Sequence, residues 1–178
     1  VADWKTALDA TVQKQGVMNF IFHPHGWIRP DQIVEFIDYA VGKYGKKVRF
    51  LNFSEAEDRL RKNLLGGHPL RALNGQDNGV RLIDINDDGF LDVISANEQD
   101  GQTRIWNPSE KNWSGTFFPM ALVAPDDRGE RQETGVKFGI VRPDGRVTAF
   151  KIDEAVARAW TFDGTTWFDD KELLNGLS

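Results

Sequence analysis

Leu82-Ile83-Asp84-Ile85-Asn86-Asp87-Asp88-Gly89-Phe90-Leu91-Asp92-Val93-Ile94 sets side-chain oxygens at alternate positions, on Asp84, Asn86 and Asp88, and again on Asp92. Counted from Asp84 these are positions 1, 3, 5 and 9. Gly89 stands at position 6, where the chain must turn sharply, and the Phe90 carbonyl offers a further oxygen at position 7. A calcium ion takes six to eight hard oxygen ligands in a flexible shell, and this spacing turns alternate residues toward one point. The flanks Val80-Arg81-Leu82-Ile83 and Phe90-Leu91-Asp92-Val93-Ile94-Ser95 are rich in β-branched and large apolar residues, with no amphipathic helix on either side. The stretch therefore reads as an oxygen-lined loop inside a β-hairpin.

The opening of the pattern is shared with the EF-hand loop, but position 12 is Ser95 where that loop has a bidentate Glu. The order Asp-x-Asn-x-Asp-Gly-x-x-Asp resembles the FG-GAP/VCBS repeats, calcium-binding β-propeller blades of secreted and surface proteins. The resemblance implies a structural Ca²⁺ held by Asp84, Asn86, Asp88, the Phe90 carbonyl and Asp92. An acidic, glycine-containing turn without metal is the alternative reading.

Composition bounds the rest. Of 178 residues, 40% are hydrophobic and 28% charged, an ordinary globular balance with room for one core or two small ones. A formal net charge of −5 carries no electrostatic footprint for nucleic acid. No apolar run approaches the length needed to span a bilayer. The absence of cysteine excludes disulfides and thiolate metal sites. The chain opens Val1-Ala2-Asp3, with neither Met nor a signal peptide, and is read as a piece of a longer protein.

Residues 1–65 read as helix, strand, helix, strand, helix. Asp3 caps a first helix carrying Trp4, Ala7, Leu8, Thr11 and Val12, which Gly16 ends. Val17-Met18-Asn19-Phe20-Ile21-Phe22 is a nearly continuous apolar run, as in a buried strand. Pro30 opens a second helix with Ile33, Val34, Ile37, Ala40, Val41 and Tyr44 at helical spacing, stopped by Gly45. Lys47-Val48-Arg49-Phe50-Leu51 is a second strand candidate, and Ser54 with Glu57 forms a capping box for a third helix. Alternating strands and helices imply parallel βα units, and two strands alone make no stable parallel sheet. This half reads as the tail of a larger α/β domain.

Residues 66–79 form a turn-rich connector, after which helical periodicity gives way to short strands over residues 80–178. Gly79-Val80-Arg81-Leu82 recurs as Gly135-Val136-Lys137-Phe138, a shift of 56 residues. Trp106 with Trp113 recurs as Trp160 with Trp167, and the calcium-type loop corresponds to a turn at Pro143-Asp144-Gly145 that lacks the ligands. The expectation is two propeller-like blades, with Trp106 and Trp160 equivalent, Trp113 and Trp167 equivalent, and Leu82 and Phe138 both facing inward. The tryptophans suit either inter-blade core or stacking on sugar rings.

Phe20-Ile21-Phe22-His23-Pro24-His25-Gly26-Trp27-Ile28-Arg29-Pro30 ends the first strand candidate at a loop, where α/β domains place their chemistry. From residue types alone, the histidines either hydrogen-bond locally or supply two metal ligands. Residues 3–61 resemble the C-terminal end of the polysaccharide deacetylase family, metal-dependent hydrolases built on a distorted (β/α) barrel. The resemblance rests on Ile21-Phe22-His23-Pro24, Arg29-Pro30, Phe50-Leu51-Asn52-Phe53 and Ser54-Glu55-Ala56-Glu57. It implies His23 as the general acid and Ile21 as lining for an acetyl methyl group. The family's Asp and His-x3-His metal ligands have no counterpart, since the chain holds only His23, His25 and His68.

The expected fold is thus a mixed α+β chain: the α/β tail of a distorted (β/α) barrel over residues 1–65, then all-β propeller-like blades. The expected role is the C-terminal part of a periplasmic or extracellular carbohydrate-active protein, or else a non-catalytic, calcium-stabilised binding or adhesion module. This chain alone is expected to be inactive, with Zn²⁺ or a similar ion belonging to a complete deacetylase domain. The expected partners are a polysaccharide and the missing barrel and blades, from the parent chain or a partner subunit.

Overall fold

The computed structural model describes residues 1–23 and 26–175, and the chain divides into two compact units, Val1–Glu55 and Ala56–Ser178. Among the described residues no helix is long and apolar enough to cross a membrane.

The first unit is a helical hairpin with two extended segments. α1 (Ala2–Gln13) begins without a side-chain cap, so Asp3 lies in its first turn rather than at the N-cap. α2 (Pro30–Tyr44) has proline at its start and stops at Gly45, whose φ of 52° suits a residue without Cβ. Leu8 of α1 packs with Phe36 and Ala40 of α2, and the Phe20 ring stacks on Phe36 with centroids 5.5 Å apart. At the rim the Asp9 carboxylate accepts hydrogen bonds from the Tyr44 hydroxyl at 2.6 Å, the Tyr39 hydroxyl at 2.8 Å and Lys43 Nζ at 2.9 Å. These donors, Tyr44 foremost, hold the Asp9 pKa down to about 2. A capping box opens α3 (Phe53–Arg59), but its members are Asn52 and Glu55: each side chain accepts the other's backbone N–H at 2.9 Å. The box lies two residues before the Ser54/Glu57 position expected from sequence. A π-helical turn, Leu60–Leu64, continues α3 and gives way to Gly66 and Gly67, both at positive φ.

The strands expected at 17–22 and 47–51 do not form. Both segments pair with no other strand, and Lys47 belongs to a 3₁₀ turn, Gly45–Lys47. A strand exists only through its neighbour's backbone groups, and here no neighbour is supplied.

The second unit is all antiparallel. β1 (Val80–Ile83), β2 (Asp92–Ala96), β3 (Gly101–Asn107) and β4 (Asn112–Phe117) make one four-stranded sheet in chain order. β5 (Val123–Pro125) and β6 (Arg131–Glu133) make a hairpin. β7 (Lys137–Ile140), β8 (Val147–Ile152), β9 (Ala157–Phe162) and β10 (Trp167–Asp169) form the second four-stranded sheet, again with sequential neighbours. The expected fold is corrected accordingly. With every ladder antiparallel and the two larger sheets open, neither a barrel tail nor a propeller is found among the described residues.

The internal repeat is real in register. A shift of 56 residues carries the pair Arg81↔Ile94 onto Lys137↔Phe150, and Val93↔Arg104 onto Ala149↔Trp160. Trp160 therefore matches Arg104, and the partner of Trp106 is Phe162, two residues on. Trp113 and Trp167 are equivalent, since each faces that aromatic directly across the next ladder. The expected Trp106–Trp160 equivalence is off by one strand period, which keeps the face and changes the neighbour. Leu82 also departs from expectation: it is 48% exposed, while Phe138 packs on the core.

Ile85, Ile94, Ala96, Phe118, Leu122, Val147, Ala149, Phe162 and Trp167 form one buried cluster drawn from both larger sheets. Trp167 meets Phe118 edge-on at 5.1 Å, and its indole N–H donates to Thr103 Oγ1 at 2.8 Å. A buried tryptophan needs such a partner, and this one ties the second sheet to the first.

Candidate functional site

The loop 84–92 joins β1 to β2, and Asp92 is the residue across from Ile83 where the ladder resumes. Two of its residues are left-handed, Asp87 at φ 60° and Gly89 at φ 84°. Aspartate tolerates that region through local hydrogen bonds, and glycine has no Cβ to clash. Ile85, fully buried in the inter-sheet core, anchors the loop from below.

The polar side chains fold back over the loop's own amides. Asp84 accepts the N–H of Asp88 at 3.0 Å on one oxygen and that of Gly89 at 2.7 Å on the other. Asn86 Oδ1 accepts the Asp88 N–H at 3.3 Å, and its amide donates to Asp88 Oδ2 at 3.1 Å. Asp88 Oδ1 accepts the N–H of Phe90 at 2.8 Å. Asp92 is fully buried, with Oδ2 accepting the N–H of Ile85 at 3.0 Å and Oδ1 that of Trp106 at 2.8 Å. From the start of β2 it thus fastens the loop at Ile85 and reaches β3 at Trp106. Burial pushes its pKa up to about 6. The two amides oppose the rise, and the nearby Asp88 and Asp84 carboxylates add to it.

These donors suit a hard cation. Every side-chain candidate is oxygen, each carboxylate oxygen has a second lone pair beyond the one donor it already accepts, and none of Asp84, Asp88 and Asp92 has an ion-pair partner among the described residues. Among the described residues no three His, Cys, Asp or Glu side chains are clustered as a metal site by themselves. A calcium shell here would need Asn86, the Phe90 carbonyl and water as well as the carboxylates. The loop of the second sheet, 141–146, sits at the equivalent hairpin without those donors. It comes close to the first, a Cβ on Gly145 falling 3.4 Å from Asp87 Oδ2.

The residues singled out for hydrolysis are placed differently. Ile21 is 77% exposed, and His23, also exposed, sets its ring edge-on to Trp27 at 5.3 Å. Pro24 and His25 lie outside the described residues. His68 Nε2 lies 3.4 Å from Asp100 Oδ2 in the second unit.

Two features had no signal in the sequence. An open depression of about 380 Å³ is lined by Asp100, Gly101, Gln102, Gly115, Thr116 and Phe117, beside the edge strand β4. Elsewhere Asp170, buried just after β10, accepts hydrogen bonds from Arg142 and, at 2.7 Å, from Thr161 Oγ1; Thr161 meets Thr148 at 2.9 Å. Gln102 and Thr116 are unremarkable strand residues in sequence, and Asp170 and Arg142 lie 28 residues apart. No family model, no curated protein and no solved structure matches the chain.

Proposed function

We propose that the second unit is a calcium-stabilised, non-catalytic binding module of an exported protein. The observation that carries this reading is the loop 84–92. Asp84, Asn86, Asp88 and Asp92 lie within nine residues, on a backbone bent by two left-handed positions, and among the described residues none of these three carboxylates has an ion-pair partner. Asp84, Asn86, Asp88, the Phe90 carbonyl and Asp92 would hold the ion. Bound calcium would supply the missing positive charge, and calcium-rich surroundings outside the cell suit loops of this kind. The chain's own residues would do the rest: Ile85 anchors the loop in the core, and Asp92 couples it to β3 through the Trp106 amide.

The catalytic alternative through His23 and Ile21 rests on resemblance alone, and both side chains are exposed. A general acid has to sit within hydrogen-bond reach of a held leaving group.

Calorimetric titration of the metal-free chain with Ca²⁺ tests the proposal. A single saturable site that disappears in Asp88→Ala, with the β-sheet circular dichroism retained, is the expected outcome. Heats no different from buffer dilution would refute it.

A further inference from the structure

We draw no further inference here: the strongest candidate, the open depression beside the edge strand β4 that is lined by Asp100, Gln102 and Phe117, carries nothing because nothing in the structure shows what covers it.

Discussion

Asp170→Ala should cost the second unit a large part of its stability. The side chain is 2% exposed and closes β10 against β9 and the 141–146 loop, holding Arg142 through Nε at 2.7 Å and through a second nitrogen, and Thr161 Oγ1 at 2.7 Å. A hydrogen bond to a charged group contributes about 1.5–3 kcal/mol. The Arg142 guanidinium is 31% exposed, so solvent recovers part of its share on truncation. Allowing for that, the loss is about 3 kcal/mol. Unfolding entropy near 2.1 cal/mol/K per residue over Ala56–Ser178 gives about 0.26 kcal/mol/K, so Tm should fall by about 12 °C. Calorimetry in EDTA reads this directly. A double-mutant cycle with Arg142→Met then asks whether the pair is coupled, and about 1–2 kcal/mol of interaction energy is expected. A Tm drop under about 2 °C, or single-mutant losses that simply add, would show that Asp170 is only filling space.

Three further outcomes follow from the same geometry. Ca²⁺ at about a hundredfold over its dissociation constant should stabilise the fold by about 2.7 kcal/mol, near 10 °C in Tm, and Asp88→Ala should abolish the rise; identical melting in Ca²⁺ and EDTA would contradict it. Asp92 has a folded pKa of about 6, above the ordinary 3.8, so the folded state binds its proton more tightly. In EDTA stability should therefore fall by about 3 kcal/mol as pH rises from about 4 through 6, and an equal slope in Asp92→Asn would place the titration elsewhere. Gly79 has φ 72°, and a Cβ there would run into the Ala96 carbonyl, so Gly79→Ala should destabilise by about 2–4 kcal/mol in urea unfolding. Unchanged unfolding would mean that the β1–β2 edge relaxes freely.

Much of the local structure was legible in the residues, and the reason is that its causes are local. Pro30 and Gly45 bound α2 because fixed φ at one end and positive φ at the other depend on no distant partner. The hairpin around 84–92 announces itself because Asp84, Asn86 and Asp88 each bond an amide a few residues away, and the 56-residue repeat survives in the ladder register. The capping box was displaced by two residues because Asn52 and Ser54 both offer an oxygen, and only the point at which the backbone turns helical selects between them. Beyond that range tertiary structure decided. Residues 17–22 carry a strand's composition, but a strand requires partners that no property of the segment supplies. The slip of Trp160 against Trp106 keeps the side-chain face, so period-two patterning cannot see it and only cross-strand pairing can. Asp92 looked like one more loop oxygen. Its burial, and its hold on the Trp106 amide 14 residues on, arise only when β3 packs beside β2, because desolvation and long-range hydrogen bonds belong to the assembled sheet.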